Sequence, residues 1–256
     1  MQARRELAAA AHADLFGAKL RDPEAVAWAA EVGGRVVGSV CLNLFPGTPV
    51  AAVGPLTIEP AAQGGPGRAL VDAAVAEALR RGIDDVRLVQ SPGHLRSFGL
   101  YTRAGFALRE PLVLVGAKPP GAAPSGGPRV RAATGDDIEA CVALAARLVG
   151  FGRRHEVAAA VREGIATVAE RDGRTVGYAA GVDFRGHVVA ERDEDVLALI
   201  LAAPAIRGPG FFVPARAHRV LDALFAAGLR AVWQAALMTR GGYVEPRGRA
   251  LPSIAF

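Results

Sequence analysis

The sequence predicts a mixed α/β protein built from two copies of one unit, each a mostly antiparallel sheet flanked by helices. Three observations lead there. First, a hairpin segment recurs, because Ala30-Glu31-Val32-Gly33-Gly34-Arg35-Val36-Val37-Gly38 returns as Ala169-Glu170-Arg171-Asp172-Gly173-Arg174-Thr175-Val176-Gly177. Each copy joins two apolar runs through a Gly-Gly or Asp-Gly turn, the strongest short-range hairpin signal, and a repeat changes the fold assignment. Second, the prolines and glycines of Lys118-Pro119-Pro120-Gly121-Ala122-Ala123-Pro124-Ser125-Gly126-Gly127-Pro128 continue neither a helix nor a central strand. Third, 256 residues exceed a single typical domain of ~100 to 200 residues. The expected limits are a first domain over 1–117, a linker over 118–128 and a second domain over 129–256.

In chain order, the first copy opens with a helix expected over 4–20. Strands over 25–32 and 35–44 form the hairpin around Gly33-Gly34, and a third strand covers 50–59. The helix over 67–81 follows from the stripe Leu70, Ala74, Ala78 beside Val71, Val75, Leu79, which has helical spacing. A strand over 85–90, a helix over 94–104 and a strand over 106–115 complete the copy. The second copy starts with a strand over 129–132, before a helix announced by Thr134-Gly135-Asp136-Asp137. That strand has no counterpart in the first copy. Either the chain's start is late, or the sheet edge there is covered in some other way.

Composition narrows the function classes. Hydrophobic residues make up 51% and charged residues 21%, as in ordinary globular proteins. The apolar stretch 196–206 is interrupted by Pro204 and falls short of the ~20 residues that span a bilayer. Glu6, His12 and Asp14 break the alanine-rich N-terminal run, against a secretory signal, so a cytoplasmic protein is expected. The net charge of +5 is almost all arginine, since lysine occurs only at Lys19 and Lys118. Arginine forks suit phosphate, yet the charges are scattered and not interleaved with aromatics, which favours solvated faces over a nucleic-acid surface. Neither a nucleic-acid nor a membrane partner is expected, and oligomeric state is not encoded in any visible pattern. Cys41 and Cys141 are too few and too separated for a disulfide framework or a Cys-x-x-Cys site, so buried free thiols are expected. There is no His-Glu-x-x-His spacing and no Gly-x-Ser-x-Gly elbow. No metal is expected.

The chemistry is carried by the segment after the third strand, Pro60-Ala61-Ala62-Gln63-Gly64-Gly65-Pro66-Gly67-Arg68-Ala69-Leu70. Glycines let backbone N–H groups converge in a nest, Pro66 suits a first turn, and a helix N-terminus favours negative charge. Strand, loop and helix together form a pyrophosphate cradle. There is no Walker lysine after Gly67 and no Gly-x-Gly-x-x-Gly, which disfavours nucleoside triphosphates and dinucleotides.

At this point the sequence resembles the GNAT superfamily of acetyltransferases, whose signature is Gln/Arg-x-x-Gly-x-Gly/Ala in this context. Gln63-x-Gly65-x-Gly67 is one residue short of that spacing; aligned by its glycines, it puts Ala62 where Gln or Arg stands in the family. The segment Gly54-Pro55-Leu56-Thr57-Ile58-Glu59-Pro60 is similar to the family's fourth strand, with Pro55 tolerable where a ladder bond is absent, as at a bulge. A second motif, Ser97-Phe98-Gly99-Leu100-Tyr101-Thr102-Arg103-Ala104-Gly105-Phe106, is similar to the family's late helix-to-strand motif. The resemblance implies an N-acetyltransferase with acetyl-CoA as co-substrate and a small-molecule or peptide amine as acceptor. It implies that Leu56, Thr57 and Ile58 lend backbone groups to the pantetheine arm and that Gln63, Gly64, Gly65, Pro66, Gly67, Arg68 and Ala69 hold the pyrophosphate. It also implies that Ser97 touches the pantetheine and that Tyr101 is the general acid, the alternative for Tyr101 being a core aromatic.

A general base is not evident. The stretch Val50-Ala51-Ala52-Val53, where many relatives carry a glutamate, has no carboxylate. Glu59 reads as a strand end, and His94 as a proton relay or a helix cap. A non-catalytic acyl-CoA-binding or regulatory module is the alternative function. In the second copy, Glu191-Arg192-Asp193-Glu194-Asp195 stands where the glycines belong, and acids there repel a pyrophosphate, so no CoA is expected. The tail through Met238-Thr239-Arg240-Gly241-Gly242-Tyr243 and Leu251-Pro252-Ser253-Ile254 resembles the ending of tandem GNAT proteins. The second copy either closes the acceptor pocket over the first or is a stabilising domain whose tail is tied down by Leu251, Ile254 and Phe256.

Overall fold

In this computed structural model, residues 17, 20–62, 64–116, 127–203 and 205–256 are described. The helix expected over 4–20, apart from Gly17 and Leu20, lies outside them, as do Gln63 and the expected linker except Gly127 and Pro128.

The elements begin with β1 (Ala25–Val32), β2 (Arg35–Leu44), β3 (Val50–Ile58), α1 (Pro66–Arg80), β4 (Asp85–Gln90), α2 (Leu95–Arg103) and β5 (Ala107–Gly116). They continue with β6 (Arg129–Ala132), α3 (Ile138–Val149), α4 (Arg154–Arg162), β7 (Thr167–Arg171), β8 (Arg174–Ala179) and β9 (Val188–Ala190). Last come α5 (Asp193–Leu201), β10 (Phe211–Pro214), α6 (His218–Ala226), β11 (Arg230–Arg240) and β12 (Arg249–Leu251). The ends of β1 to β6, α1 and α2 fall within a residue or two of the ranges expected for them, the usual uncertainty of element boundaries.

By packing, the chain divides into unit 1, Met1–Ala107 with Met238–Gly242 and Ala255, and unit 2, made of the remaining residues. This division does not follow the 1–117 and 129–256 limits. Strand β5, which sequence order assigns to the end of the first copy, pairs antiparallel with β10 through Val115↔Phe211 and Val113↔Val213. Pairing across so many residues leaves no local trace in the sequence.

In unit 1, β1, β2 and β3 pair antiparallel and β4 joins β3 in parallel. The β1–β2 turn has Val32 opposite Arg35, and Gly33 and Gly34 have φ of 59° and 76°. Positive φ at both central residues is what the two-residue hairpin turn requires. The repeat in unit 2 does the same, with Asp172 at φ 53° and Gly173 at 73°. Both hairpins also shift register at matching places, Ala30/Glu31 and Ala169/Glu170. The repeat is therefore structural down to its β-bulge.

Helix α1 covers the unit 1 sheet with Gly67, Leu70, Val71, Ala74, Val75 and Ala78 buried. They pack with Val40, Leu42, Ala51, Val53, Val86 and Leu88, and with Tyr101 and Phe106 after them. Leu79, expected in this stripe, is instead 46% exposed. Each step of four residues advances ~40° around a helix of 100° per residue, so a run Val71, Val75, Leu79 rotates off the buried face by its third member.

Unit 2 holds an antiparallel sheet in the order β12-β9-β8-β7-β6. Its helix α3 is preceded by a capping box, in which the Thr134 N–H donates to Asp137 Oδ2 at 2.7 Å. Arg131 grips the same carboxylate with two nitrogens. Cys41 and Cys141 are both buried, and neither is in a disulfide.

Candidate functional site

The site is built on a strand that leaves its neighbour. Parallel pairing of β3 with β4 covers only Val50↔Asp85, Ala51↔Val86 and Ala52↔Arg87. Past that point β3 bulges: Leu42 faces Val53 and Val40 faces Leu56, so Gly54 and Pro55 both stand opposite Cys41. The Gly54–Pro55 peptide is cis and Gly54 has φ 144°, a value at which a side chain is strained. Pro55 thus occupies the bulge, where no ladder bond is required of it. Asn43, 2% exposed, secures the bulge by donating from Nδ2 to the Ala52 carbonyl at 3.2 Å and the Gly54 carbonyl at 2.8 Å.

Beyond the bulge β3 resumes regular pairing with β2 through Leu56↔Val40, Thr57↔Ser39 and Ile58↔Gly38. The Glu59 N–H donates to the Val37 carbonyl at 2.8 Å. Main-chain groups alternate along an antiparallel strand, so Thr57 also faces β2, and its hydroxyl meets that of Ser39 at 2.8 Å. Leu56 and Ile58 accordingly turn their amides and carbonyls to the opposite edge, the one β4 has vacated. That edge can take an extended, amide-bearing chain as an added strand.

The glycine loop follows directly. Gly64 has φ 118°, and a Cβ at Gly64 or Gly65 would meet nothing within 4 Å, so the loop presents bare backbone to an open side. Pro66 occupies the first turn of α1, where its missing N–H is no loss. No acidic residue lies in that turn, leaving the helix dipole free to favour an anion. Gly67 packs where a Cβ would lie 3.4 Å from Ile58 Cγ1 and 3.6 Å from Leu100 Cδ2, which brings the start of α1, the end of β3 and α2 together. The Arg68 side chain does not extend over the loop. Its Nε binds Asp72 at 2.7 Å and its Nη1 donates to the Arg103 carbonyl at 3.1 Å, tying the start of α1 to the end of α2. Its N–H donates to the Gly65 carbonyl at 3.2 Å.

Tyr101 lies on α2 with 8% exposure. Its ring meets Phe106 edge to face at 6.0 Å. Burial pushes the hydroxyl up to about 12, because the phenolate loses hydration there. Ser97 Oγ lies 2.6 Å from His94 Nδ1, and the same nitrogen accepts the Ser97 N–H at 3.3 Å. Of its alternatives, His94 therefore takes the helix cap. Glu59 is paired with Arg35 at 3.0 Å on the surface. Neither group is poised as a base.

Two buried amides escaped sequence reading. Asn43 Oδ1 has no hydrogen-bond partner, and neither Gln90 Nε2 nor Gln90 Oε1 has one. A signal for Gln90 did exist: it is the polar member of the alternation Val86, Leu88, Gln90 in a strand whose first two members are core.

Unit 2 answers the same geometry differently. Ala190 faces Gly177 and Val189 faces Tyr178, so β9 corresponds to the Leu56–Ile58 stretch of β3 through the shared glycine of the repeat. Its outer edge is filled by β12, with Arg249↔Ala190, Ala250↔Val189 and Leu251↔Val188. The helix that follows has Asp193, Glu194 and Asp195 in its first turn. Phe256 stacks on Phe151 at 5.9 Å. Among the described residues no cluster of His, Cys, Asp and Glu fit for a metal occurs, and no helix is long and apolar enough to cross a membrane.

A splayed strand pair, a glycine loop at a helix start and a buried tyrosine on the next helix are the three features of the site. Residues 2–106, which include all three features, match the acetyltransferase (GNAT) family. No curated protein matches the sequence. Among solved structures, the chain is similar to a Pyrococcus horikoshii protein assigned as an acetyltransferase, with a TM-score of 0.68 and 19% identity over 87% of this chain and 77% of that one. It is also similar to a tandem GNAT protein from the clavulanic acid biosynthesis pathway, with a TM-score of 0.53 and 18% identity over 87% and 85% of the two chains. At those identities the two structures speak for the fold. The family match is thus confined to residues 2–106, and the likeness to the two structures over 87% of the chain is one of fold.

Proposed function

We propose that this protein transfers the acetyl group of acetyl-CoA directly to a primary amine of a small molecule or peptide. The observation that carries the reading is the open β3 edge running into a glycine loop at the start of α1. The outward main chain of Leu56 and Ile58 holds the pantetheine arm, and Gly64, Gly65, Gly67 and the α1 dipole hold the pyrophosphate. The orphaned amide atoms of Gln90 and the unfilled space at Gly64 and Gly65 fit a ligand of this kind. Bound acetyl-CoA supplies an acetyl thioester, which an unprotonated amine can attack without a covalent enzyme intermediate.

The chain's own residues then act on charge and protons. The Ile58 N–H faces the gap and supports negative charge on the thioester oxygen. Tyr101, kept neutral by its burial, donates its proton to the departing sulfur. Arg68 keeps α1 and α2 in register by bridging them, and Ser97 is held on His94 beside the same helix. With Glu59 and His94 both engaged, no base is assigned to the acceptor ammonium. The first domain, 1–117, is taken to carry catalysis, with 118–128 as linker and 129–256 as a copy without a donor site.

Release of free CoA thiol, measured with acetyl-CoA across a panel of primary amines, tests the proposal. Saturable turnover is expected, lowered by ~100-fold or more in Tyr101→Phe, as for a lost general acid. CoA binding with no transfer to any amine would instead mark a binding or regulatory module. Full activity in Tyr101→Phe would remove that residue from the mechanism.

A further inference from the structure

Gln90 is the last residue of β4 and is 7% exposed. Both polar atoms of its carboxamide are buried, and neither has a partner. A carboxamide offers two N–H donors and an oxygen with two lone pairs, so its burial in this state is costly. An apolar side chain would serve the core better. Val86 and Leu88, which alternate with Gln90 on the same face of β4, do serve it, in the cluster that includes Leu70, Val71 and Tyr101.

The position of Gln90 gives the unpaired amide a meaning. Pairing of β3 with β4 stops at Ala52↔Arg87, so Gln90 stands three residues into the gap, level with the bulge and the start of the Leu56–Ile58 stretch. An extended chain laid along the Leu56 and Ile58 amides would run past the level of Gln90, beyond the last β3–β4 pair. Unit 2 provides an internal precedent for occupancy of such an edge, since β12 lies along β9 as a strand of peptide amides.

We propose that Gln90 is a donor-recognition residue that reads an amide of the pantetheine arm, its oxygen accepting the amide N–H and its NH2 donating to the amide carbonyl. The inference rests on the acetyl-CoA reading above and deepens it. Gln90 gives the gap a preference for a thioester whose arm carries amides in an extended chain over one with a plain alkyl arm. It is a binding group and takes no part in proton transfer.

Calorimetric titration of the full chain with CoA, and separately with adenosine 3′,5′-diphosphate, which lacks the arm, tests this. In Gln90→Leu, CoA affinity is expected to fall about 10-fold, adenosine 3′,5′-diphosphate affinity to stay unchanged, and the ligand-free protein to melt at the same or a higher temperature. Gln90→Met, unbranched and closer in shape, is expected to do the same and stands in if the leucine variant folds poorly. CoA affinity within twofold of wild type in a folded variant overturns the proposal, as does an equal loss for both ligands. If wild-type protein binds neither ligand, the acetyl-CoA reading fails first, a result distinct from the selective outcomes above.

Discussion

Tyr101 shows how one residue ties stability to chemistry. Its hydroxyl is raised to about 12 by burial, against about 10 in an unfolded chain. The folded value lies above the unfolded one, so this contribution is fully present below pH 10 and is lost as pH rises through about 12. Urea unfolding of wild type is expected to lose about 2–3 kcal/mol between these limits, a loss that Tyr101→Phe does not share. Identical pH dependence of the two proteins would show the hydroxyl to be solvated. The same raised value keeps Tyr101 a proton donor through neutral pH. Asp85 and Arg87, with side chains 3% and 2% exposed and 2.6 Å apart, make the opposite kind of pair. Removing one partner by Arg87→Ala leaves a buried charge and is expected to cost about 3–5 kcal/mol. The double replacement Asp85→Leu with Arg87→Met is expected to recover most of that, as denaturant midpoints will show.

At the scale of elements, the repeat's shared glycines separate the two units by consequence. A Cβ at Gly38 would lie 2.5 Å from Ile58 Cδ1 and 2.8 Å from the Thr57 carbonyl. The isoleucine tip can turn aside, but the carbonyl is backbone, so Gly38→Ala has to push β3 outward. A stability loss of about 1–3 kcal/mol is expected, together with weaker CoA binding, because the displaced strand carries the Ile58 amide. At Gly177 a Cβ would meet Ala190 Cβ at 2.9 Å and Leu199 Cδ1 at 3.1 Å, so Gly177→Ala is expected to destabilise and leave CoA binding unaltered. Equal effects of the two substitutions on binding would count against a donor site on β3. These elements were legible because their signals are local: turn glycines, a helical stripe, a proline at a bulge, a glycine loop before a helix. What escaped reading depends on partners far away in sequence. Strand β12 has three residues and no pattern of its own until β9 meets it, and β5 pairs with β10 across the expected linker. For Gln90 the sequence carries only its place in the alternation with Val86 and Leu88, while its burial and missing partners are visible in the structure alone.

For the whole molecule, the two copies differ in ways that bear on how many donor molecules one chain binds. In unit 1 the edge of Leu56 and Ile58 is open and the following helix begins without acids. In unit 2 the matching edge is taken by β12 and the following helix begins with Asp193, Glu194 and Asp195. Filling the strand edge and placing negative charge at the helix start each oppose a pantetheine pyrophosphate, so a single CoA per chain is expected in calorimetry. Gly65→Glu gives the prediction a sharper form. Gly65 has a negative φ, −130°, and open space around a prospective Cβ, so the glutamate meets no steric clash and the variant is expected to fold. It carries into unit 1 the charge that unit 2 already has, against the helix end that would meet phosphate. CoA binding is expected to disappear from the variant entirely. A stoichiometry of two in wild type, or one undiminished site remaining in Gly65→Glu, would mean that unit 2 binds donor despite β12.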